Sequence, residues 1–515
     1  MTATATRTLV IGGGFAGLLA ALRAAQAGEQ VTLVEADSVT GGVIRSAVVD
    51  GLDLNAGPEA YASRGGRVQA LVEELGLADR VVEPAGSSSF IVLDDHAFAS
   101  PSRAVMGLPA QPLSAESRRA LGLVGSLRAA AERLLPASYG WRDGISIGEL
   151  TRRRFGRRVL DRLVAPLITG VHSADPMALE LETVLPGLRR RADQAGSVQQ
   201  AVAGMLAERD AAQRGRAASA GPRASARPTG AAGRSGEPVR AGAAVRAVTP
   251  TMAAIPEAMA ERIRELGGTI RTSTRAVSLV ADGDAWSVVL DPVGADGAPE
   301  QSADSTAPEH TASAPERITA DRLVIATDPD TTRDFLRGLD TDPAQASLAD
   351  LVPASRPVPV RLCTLVLQAP ALSRHPRGNG ALVAPSATTI TAKAMTHASA
   401  KWDHVRTAAR TDEHPHRHVI RLSYGRGDEP LPDRDRFPDL ALRDAARTLG
   451  VEGAGLSLVD WALTDITRTQ RRAAAGHSDA VAALRSALPA TIELSGAWID
   501  GTGLEAITRE RDTRS

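Results

Sequence analysis

One glycine-rich segment near the start of the chain constrains the fold more than any other. A short apolar run, residues 8–11, leads into Gly12-x-Gly14-x-x-Gly17 and then into a stretch of good helix formers. Gly12 permits a tight turn, Gly14 lets the backbone approach a phosphate, and Gly17 lets the helix pack closely on the strand. The free amides at the start of that helix can bind a pyrophosphate. The segment therefore predicts the first strand, turn and helix of a dinucleotide-binding βαβ unit.

A second strand pattern supports the same interpretation. Residues 30–34 read as a strand and end at Glu35, at the spacing expected of a carboxylate that binds ribose hydroxyls. An acid at this position disfavours the 2′-phosphate of NADP. The residues predicted to form this part of a dinucleotide site are Gly12, Gly14, Phe15, Ala16, Gly17, Glu35 and Ala36.

The length of the chain and the remaining patterns indicate a second domain. The chain has 515 residues, which exceeds what one ordinary hydrophobic core supports. Strand and helix patterns alternate at the start, whereas the centre holds longer strand patterns at 285–291, 358–368 and 418–424. Two stretches rich in Ala, Gly, Pro, Ser and Arg, at 211–243 and about 293–315, lack apolar periodicity and are expected to be surface insertions. These patterns favour an α/β unit combined with a mixed α+β domain.

Composition excludes several classes of function. With 59 Lys+Arg against 60 Asp+Glu the net charge is −1, so no overall field recruits nucleic acid. No apolar run approaches the roughly 18 residues of a membrane span, although peripheral contact with a membrane stays open. The first residues lack the pattern of a signal peptide, which favours a cytoplasmic location. The single Cys363, in an alternating strand pattern, excludes an intramolecular disulfide and a cysteine-built zinc site, and no bound metal is expected.

The segment that follows Glu35 distinguishes flavin from nicotinamide dinucleotides. The pattern E-x5-G-G-x3-S spans residues 35–46, and Gly-Pro-Glu follows at 57–59. Both elements resemble the flavin-containing amine oxidase superfamily and, within it, the porphyrinogen oxidases. The resemblance implies that the paired glycines bring the backbone close to the pyrophosphate and ribityl chain of FAD, with Arg45 nearby as a charge partner.

The resemblance extends over nearly the whole chain apart from the two insertions. Its most family-specific segment is 155–176, and further matches lie at 275–277, 393–402 and 493–507. FAD is expected to bind noncovalently, because Cys363 lies far in sequence from the last segment, which resembles a glycine turn that closes over the flavin. The further FAD-binding residues that the resemblance implies are Gly41, Gly42, Val43, Arg45, Gly57, Pro58, Glu59, Val277, Trp402, Gly496, Gly501, Gly503 and Leu504.

Departures from the family concern the substrate side. His172 stands where the family has tyrosine, Thr-Arg-Thr-Gln at 467–470 replaces Pro-Gln-Tyr ahead of Gly476-His477, and the central glycine pair is missing. His172 and His477 are the weak candidates for catalytic proton handling, because a structural role is the commoner one for such histidines. The sequence predicts no other catalytic residue.

The family's activity implies a function. Its members use FAD to oxidise a porphyrinogen to a porphyrin in three two-electron steps, with O2 as acceptor and H2O2 as product, and the resemblance favours coproporphyrinogen III as substrate. The alternatives are a protoporphyrinogen IX oxidase, an amine oxidase or carotenoid desaturase of the same fold, and a non-catalytic FAD-binding protein. Aromatic residues make up only 3% of the chain, which argues against the aromatic cage of an amine oxidase. The expected partners are the porphyrinogen, O2 and, transiently, the downstream chelatase.

The resemblance also implies how the chain divides into domains. The FAD-binding domain, of the Rossmann type, is expected to be discontinuous, and a helical subdomain and a mixed substrate-binding sheet are expected between its parts. The predicted division is 1–75, 244–340 and 455–515 for the FAD-binding domain, 76–210 for the helical and substrate-binding segment, 211–243 for a low-complexity insertion, and 341–454 for the substrate-binding sheet.

Overall fold

Strands and helices are distributed along the whole described chain. The computed structural model describes residues 5–63, 65–86, 88–219, 245–293, 315–339, 347–427, 429–468, 471–473 and 476–509. The strands in these residues are β1 (Arg7–Ile11), β2 (Gln30–Val34), β3 (Ser46–Val49), β4 (Leu52–Asn55), β5 (Tyr61–Ala62), β6 (Val81–Val82), β7 (Ser89–Val92), β8 (Ala97–Ala99), β9 (Ala104–Val105), β10 (Leu108–Pro109), β11 (Val245–Val248), β12 (Thr269–Arg271), β13 (Thr274–Asp282), β14 (Ala285–Pro292), β15 (Glu316–Ala320), β16 (Arg322–Ile325), β17 (Ser355–Pro357), β18 (Val360–Gln368), β19 (Gly380–Val383), β20 (Ala394–His397), β21 (Arg417–Tyr424), β22 (Ser457–Ile466), β23 (Arg471–Ala473) and β24 (Ile492–Leu494).

The helices fall mainly between the strands of the two larger sheets. They are α1 (Phe15–Gln26), α2 (Arg67–Glu74), α3 (Ala115–Ala130), α4 (Ile147–Arg154), α5 (Arg157–Val159), α6 (Ala165–His172), α7 (Leu181–Val184), α8 (Leu188–Ala195), α9 (Val198–Ser219), α10 (Ala254–Glu265), α11 (Pro329–Arg337), α12 (Ala398–Lys401), α13 (Asp403–Ala409), α14 (Asp439–Leu449), α15 (His477–Ala487), α16 (Ala497–Asp500) and α17 (Leu504–Ile507). No helix of the described residues is both long and apolar enough to cross a bilayer.

A parallel sheet of five strands forms the first unit, in the order β12-β2-β1-β16-β24. Its central strand β1 is apolar and pairs in parallel with β2 on one side and β16 on the other. Helix α1 carries the chain back between β1 and β2 and buries Leu18 and Leu22 completely. Because parallel strands end at the same edge, the loops that follow β1, β2, β16 and β24 meet at the carboxyl edge of this sheet.

A mixed sheet of seven strands forms the second unit, in the order β22-β18-β21-β20-β19-β7-β8. All neighbouring strands are antiparallel except β19 and β7. Side chains alternate between the two faces of a strand. One face contributes Ile420 and Leu422 to a core that α14 covers. The opposite face carries smaller, half-buried side chains, among them Ala394, Thr396 and Ser423.

A helical segment, α3 to α9, connects the early strands of the second sheet to the rest of the chain. Its core contains an ion pair between Arg154 and Glu132, 2.7 Å apart, and both side chains are fully buried. Glu132 also accepts hydrogen bonds from the amides of Val198 and Gln199 at the start of α9. These partners satisfy a charge that would otherwise be costly to bury, and they fix α9 against the preceding helices.

The structure confirms the predicted fold class, an α/β unit combined with a mixed α+β unit and a helical subdomain. The strand patterns at 285–291, 358–368 and 418–424 occur as β14, β18 and β21. The predicted insertion at 211–243 begins within a helix, because α9 continues to Ser219. The remainder of that insertion from 220 on, and 294–314 of the second, lie outside the described residues.

Two sheet pairings bear on the predicted division into domains, which itself stays a prediction. β7 and β8, at 89–99, and β22, at 457–466, belong to the seven-stranded sheet. β7 and β8 fall within the predicted helical and substrate-binding segment, whereas β22 joins this sheet from the segment 455–515 that was predicted for the FAD-binding domain. The reason is that β22 pairs with β18, about a hundred residues earlier, and hydrophobic pattern does not reveal such a distant pairing.

Candidate functional site

Loops from four strands meet at the carboxyl edge of the five-stranded sheet. The amide of Gly12 donates to the carbonyl of Val34, and that of Ala326 to Ile11, which holds the first residues after β1 and β16 side by side. The amide of Ser495 likewise donates to Ile325. In open α/β sheets, ligands bind in the crevice outside the carboxyl ends of the strands. The predicted glycine turn and the predicted C-terminal turn therefore border one crevice.

The first glycine turn is shaped for close approach. Gly12 has φ +103°, and a Cβ there would lie 2.7 Å from the carbonyl oxygen of Ala326. A Cβ on Gly17 would lie 1.8 Å from the carbonyl oxygen of Gly12, so α1 and the turn are in direct backbone contact. Phe15 and Ala16 are buried in the first turn of α1, whose leading amides have no partner within the helix. The turn thus directs backbone donors toward the crevice.

Space for a ligand opens above Gly14. A Cβ on this residue would meet nothing nearer than the Cα of Gly42, at 4.0 Å. Gly14 and Gly41 form an isolated parallel bridge, and the amide of Gly41 donates to Gly13 at 2.8 Å. The first glycine turn and the predicted pair Gly41 and Gly42 therefore lie against each other without intervening side chains, next to the start of a helix. This donor set fits the pyrophosphate of a dinucleotide.

Glu35 directly follows β2 and is held by backbone amides, and its contact with a ribose stays a prediction. Its carboxylate accepts from the amide of Gly13 at 2.6 Å and from that of Asp37 at 2.8 Å. The next residue, Ala36, is half-buried. Arg45 forms an ion pair with Asp37, so its guanidinium is already engaged by a carboxylate. The expected role of Arg45 as a charge partner of the flavin stays a prediction.

The Gly-Pro-Glu element packs directly on the second glycine pair. A Cβ on Gly57 would lie 1.7 Å from the carbonyl oxygen of Val43. Beyond the half-buried Pro58, the side chain of Glu59 is 9% exposed and pairs with Arg421 at 2.9 Å and Lys401 at 3.8 Å. Burial raises the pKa of Glu59, but the two cations outweigh it and hold that pKa below its ordinary value.

Trp402 lies in the core behind this loop. It is 1% exposed, and the ammonium of Lys401 lies 4.9 Å from its ring centroid. The side chain therefore supports the charged cluster rather than lining an open surface. Its expected contact with FAD remains a prediction.

Val277 is placed at an irregularity of β13. The register with β14 shifts between Ala276 and Ser278, so the backbone of Val277 lies outside the regular ladder, and its side chain is exposed. A bulge leaves backbone groups unpaired. This arrangement suits the backbone contact with adenine that the resemblance implies.

The predicted flavin-closing segment turns back over the sheet edge at three glycines. Gly496, Gly501 and Gly503 have φ of +141°, +105° and +96°, a region that favours glycine. The indole of Trp498 donates to the carbonyl of Thr327 at 3.0 Å, which fixes the segment beside the loop after β16. Leu504, half-buried, begins α17 directly after the last glycine.

The structure describes the side chain of only one of the two candidate catalytic histidines. His172 is the last residue of α6, but its side chain lies outside the described atoms. His477 begins α15, and its Nε2 lies 2.6 Å from the carbonyl oxygen of Trp498. That contact gives His477 a structural role in joining α15 to α16. Its catalytic role remains a prediction.

Sequence reasoning missed Arg421, which links the two sheets. From β21 its Nη2 donates to the carbonyl of Gly57 at 2.7 Å, while Nη1 pairs with Glu59. The chain has 57 arginines, and nothing in the sequence around Arg421 distinguishes it from the others. A usable signal did exist for the lysines, since only two of the 59 basic residues are lysines, Lys393 and Lys401, and both lie in the 393–402 element.

The face of β20 and β21 that carries Arg421 is the face turned toward the glycine crevice. Ser423 lies two residues from Arg421 on β21, and Ala394 and Thr396 are their partners on β20. All three small side chains are half-buried. α6 packs on the adjoining strand β19, because a Cβ on Gly170 of α6 would lie 2.6 Å from the side chain of Leu382 in β19. The structure thus brings a floor of small side chains next to the dinucleotide crevice.

A parallel sheet with a phosphate-binding glycine turn, combined with a mixed sheet over its carboxyl edge, defines a two-domain dinucleotide-dependent oxidoreductase. The chain belongs to the flavin-containing amine oxidoreductase family, whose model matches residues 15–499. Its cofactor is FAD, and the crevice described above fits the dinucleotide part of that molecule.

Known relatives agree with this family. The chain is 28% identical over 505 residues, 96% of its length and 94% of theirs, to a Mycobacterium tuberculosis protein named coproporphyrinogen III oxidase. It is 34% identical over 184 residues, 35% of this chain and 39% of that protein, to a Bacillus subtilis protein of the same name. A solved structure of a presumptive protoporphyrinogen oxidase from Exiguobacterium covers 98% of this chain, and 96% of that chain is covered, with TM-score 0.74 at 20% identity. That likeness concerns the fold.

Proposed function

We propose that the chain oxidises coproporphyrinogen III to coproporphyrin III, with O2 as electron acceptor, as a step of haem biosynthesis. The observation that carries the proposal is the similarity over 96% of the chain to a mycobacterial protein named coproporphyrinogen III oxidase. Bound FAD supplies the two-electron acceptor, and three O2 reduced to three H2O2 account for the six hydrogens that the macrocycle loses.

The chain's own residues bind and orient the cofactor. The backbone around Gly14 and Gly42 receives the pyrophosphate, and Glu35 is positioned for the ribose. Arg421 holds the loop at 57–59 in place by binding the carbonyl of Gly57 and the carboxylate of Glu59. The loop can then contact the cofactor with little loss of conformational freedom on binding.

The floor of the site carries short side chains on the face turned toward the cofactor crevice. Ala394, Thr396 and Ser423 lie side by side on two neighbouring strands, and short side chains obstruct a bulky tetrapyrrole less than long ones. A porphyrinogen is electron-rich and loses hydride readily, so the proposal does not require a strong protein base at the site. An amine substrate would need an aromatic cage, for which the 3% aromatic content provides little material.

Anaerobic mixing of the purified holoprotein with coproporphyrinogen III tests the proposal. We expect the absorbance of oxidised flavin to be lost on mixing and restored on admission of O2, with formation of coproporphyrin and H2O2. Protoporphyrinogen IX, mixed under matched detergent-free conditions, serves as the comparison. Equal or higher kcat/KM with protoporphyrinogen IX would overturn the choice of substrate. No flavin reduction by either compound would overturn porphyrinogen oxidation as such and leave a non-catalytic or amine-directed flavoprotein.

A further inference from the structure

Two cationic side chains lie together at one end of the seven-stranded sheet. Lys393 immediately precedes β20, and its ammonium donates to the hydroxyl of Ser173 at 2.5 Å and to the carbonyl of Gly425 at 2.7 Å. Arg426 follows β21, and its Nη2 donates to the carbonyl of Ala392 at 2.8 Å. Ser173 directly follows α6, so this cluster also joins the helical segment to the sheet.

All of these acceptors are neutral. Neither cation has an ion-pair partner in the part of the chain that the structure describes, and the Nε of Arg426 is buried there without a hydrogen-bond partner. Lys393 is 1% exposed. Burial and, to a smaller extent, the charge of Arg426 together lower the pKa of its ammonium to about 8. Buried charges without an opposite charge are costly, so the cluster favours the arrival of an anion.

Among the described residues, the nearby acidic groups Asp444 and Glu429 favour the charged form of Arg426 but form no ion pair with the cluster. The carboxylate of Asp444 accepts from the amides of Thr391 and Ala392 instead, at 3.3 and 2.8 Å. Burial raises the pKa of Asp444, which makes it a weaker counter-charge. Glu429 lies on an exposed stretch, where solvent screens its charge. A ligand carboxylate is therefore the missing partner that the chemistry of the cluster calls for.

The cluster is placed at the far end of the floor from FAD. Gly425 directly follows β21 and lies four residues beyond Arg421, which corresponds to about 13 Å of extended chain. Arg421 contacts Gly57 at the end next to the cofactor crevice. A tetrapyrrole could lie on the floor with one meso carbon at the end next to the cofactor crevice. The propionates on its opposite edge would then lie at the end of the floor where Lys393 and Arg426 are.

We propose that Lys393 and Arg426 form a carboxylate subsite that binds a propionate on the side of the macrocycle away from FAD. The third N–H of the Lys393 ammonium and the Nε–H of Arg426 are the available donors. The inference rests on the proposed function, which supplies a substrate with four propionates. Protoporphyrinogen IX has vinyl groups in place of two of them. If a vinyl group of protoporphyrinogen IX lies at the subsite, the two buried cations have no carboxylate partner. Protoporphyrinogen IX should then bind more weakly than coproporphyrinogen III.

Binding of oxidised porphyrins to the holoprotein tests the subsite without turnover. Coproporphyrin III, with four propionates, is titrated against the protein by absorbance and compared with deuteroporphyrin IX, which has two. We expect Arg426→Gln to weaken coproporphyrin III binding by about tenfold, the loss of one charge-assisted contact, and deuteroporphyrin IX binding much less. Lys393→Met is expected to act in the same direction and Lys393→Arg to retain more affinity, because it keeps the charge. Arg436→Gln, at an exposed arginine before α14, is the matched control.

Arg426→Gln decides the outcome if Lys393→Met does not fold, since Arg426 is only partly buried. Unchanged coproporphyrin III affinity in Arg426→Gln, or equal losses for both porphyrins, would overturn the subsite. Failure of the unmodified protein to oxidise coproporphyrinogen III would instead overturn the proposed function. Normal turnover by the unmodified protein together with unchanged affinities in the variants would overturn the subsite alone.

Discussion

Arg421 and Glu59 form an ion pair of 2.9 Å between the two sheets, with each side chain 9% exposed. Arg421 belongs to β21 of the seven-stranded sheet, and Glu59 to the loop that packs on the glycines of the cofactor crevice. The same guanidinium binds the carbonyl of Gly57. This pair is therefore one of the contacts that fix the substrate floor relative to the cofactor crevice, and Arg417 of β21 makes another with Asp50, between β3 and β4.

Replacing this arginine should destabilise the protein and weaken FAD binding. Arg421→Met removes the nearer of the two ion-pair partners of Glu59 and leaves Lys401 at 3.8 Å, and loss of one partner of a buried pair costs about 3–5 kcal/mol. Urea unfolding and the flavin content of the purified variant measure both effects. Arg406→Met removes an exposed pair with Asp403 and should cost less than about 1 kcal/mol. Equal stability of the two variants would contradict the role given to Arg421.

A branched side chain at Gly14 should abolish FAD binding without unfolding the chain. A Cβ there meets no protein atom nearer than 4.0 Å, so Gly14→Val fills the space of the pyrophosphate rather than clashing with the fold. Flavin absorbance of the purified variant and its far-ultraviolet circular dichroism separate the two effects. Gly204→Val, at a position of α9 with no atom within 4 Å of a Cβ, is the control. Full flavin content in Gly14→Val would show that the crevice is not the cofactor site.

FAD should be released intact when the protein is denatured. The single cysteine, Cys363, is completely buried in β18, and burial raises the pKa of its thiol to about 12. A protonated thiol in a sheet core is a poor nucleophile. Acid precipitation should leave the yellow colour in the supernatant. Colour in the pellet, or a flavin-sized increase in the mass of the denatured chain, would contradict noncovalent binding.

The sequence predicted those features that depend on neighbouring residues. Gly12, Gly14 and Gly17 stand next to the strand and helix whose contact requires them, so their spacing alone indicated the turn. Arg421 acts through partners far away in the chain, and no local pattern marks such a pairing. The same limit explains the placement of β22, whose partner β18 was predicted as a strand but not as its neighbour.

The stability contribution of Lys393 should depend on pH in an unusual direction. Burial lowers its pKa from the ordinary 10.5 to about 8, so between these values the unfolded chain binds the proton more tightly than the folded chain. The free energy of unfolding, relative to Lys393→Met, should therefore rise as pH rises through this window, by about 3 kcal/mol in total. Below pH 8 the cost of the buried charge is present in full.

Urea unfolding at pH values below, within and above this window measures the effect. Groups that titrate in both proteins cancel in the difference between the parent chain and the variant. Lys393→Arg is the control, since arginine stays charged throughout and should show no such rise. Parallel pH profiles for the parent chain and Lys393→Met would contradict an ammonium that titrates near pH 8.

β24 is an edge strand of the five-stranded sheet, and its late place in the chain affects the time during synthesis at which FAD can bind. The ribosome adds Ile492–Leu494 after every other strand of the five-stranded sheet, and Gly496 follows it into the crevice. Nascent domains generally begin to fold from the amino-terminal side during synthesis, yet this crevice lacks one wall until almost all of the described chain has been translated. We therefore expect FAD to be captured late in synthesis, after β24 has been added.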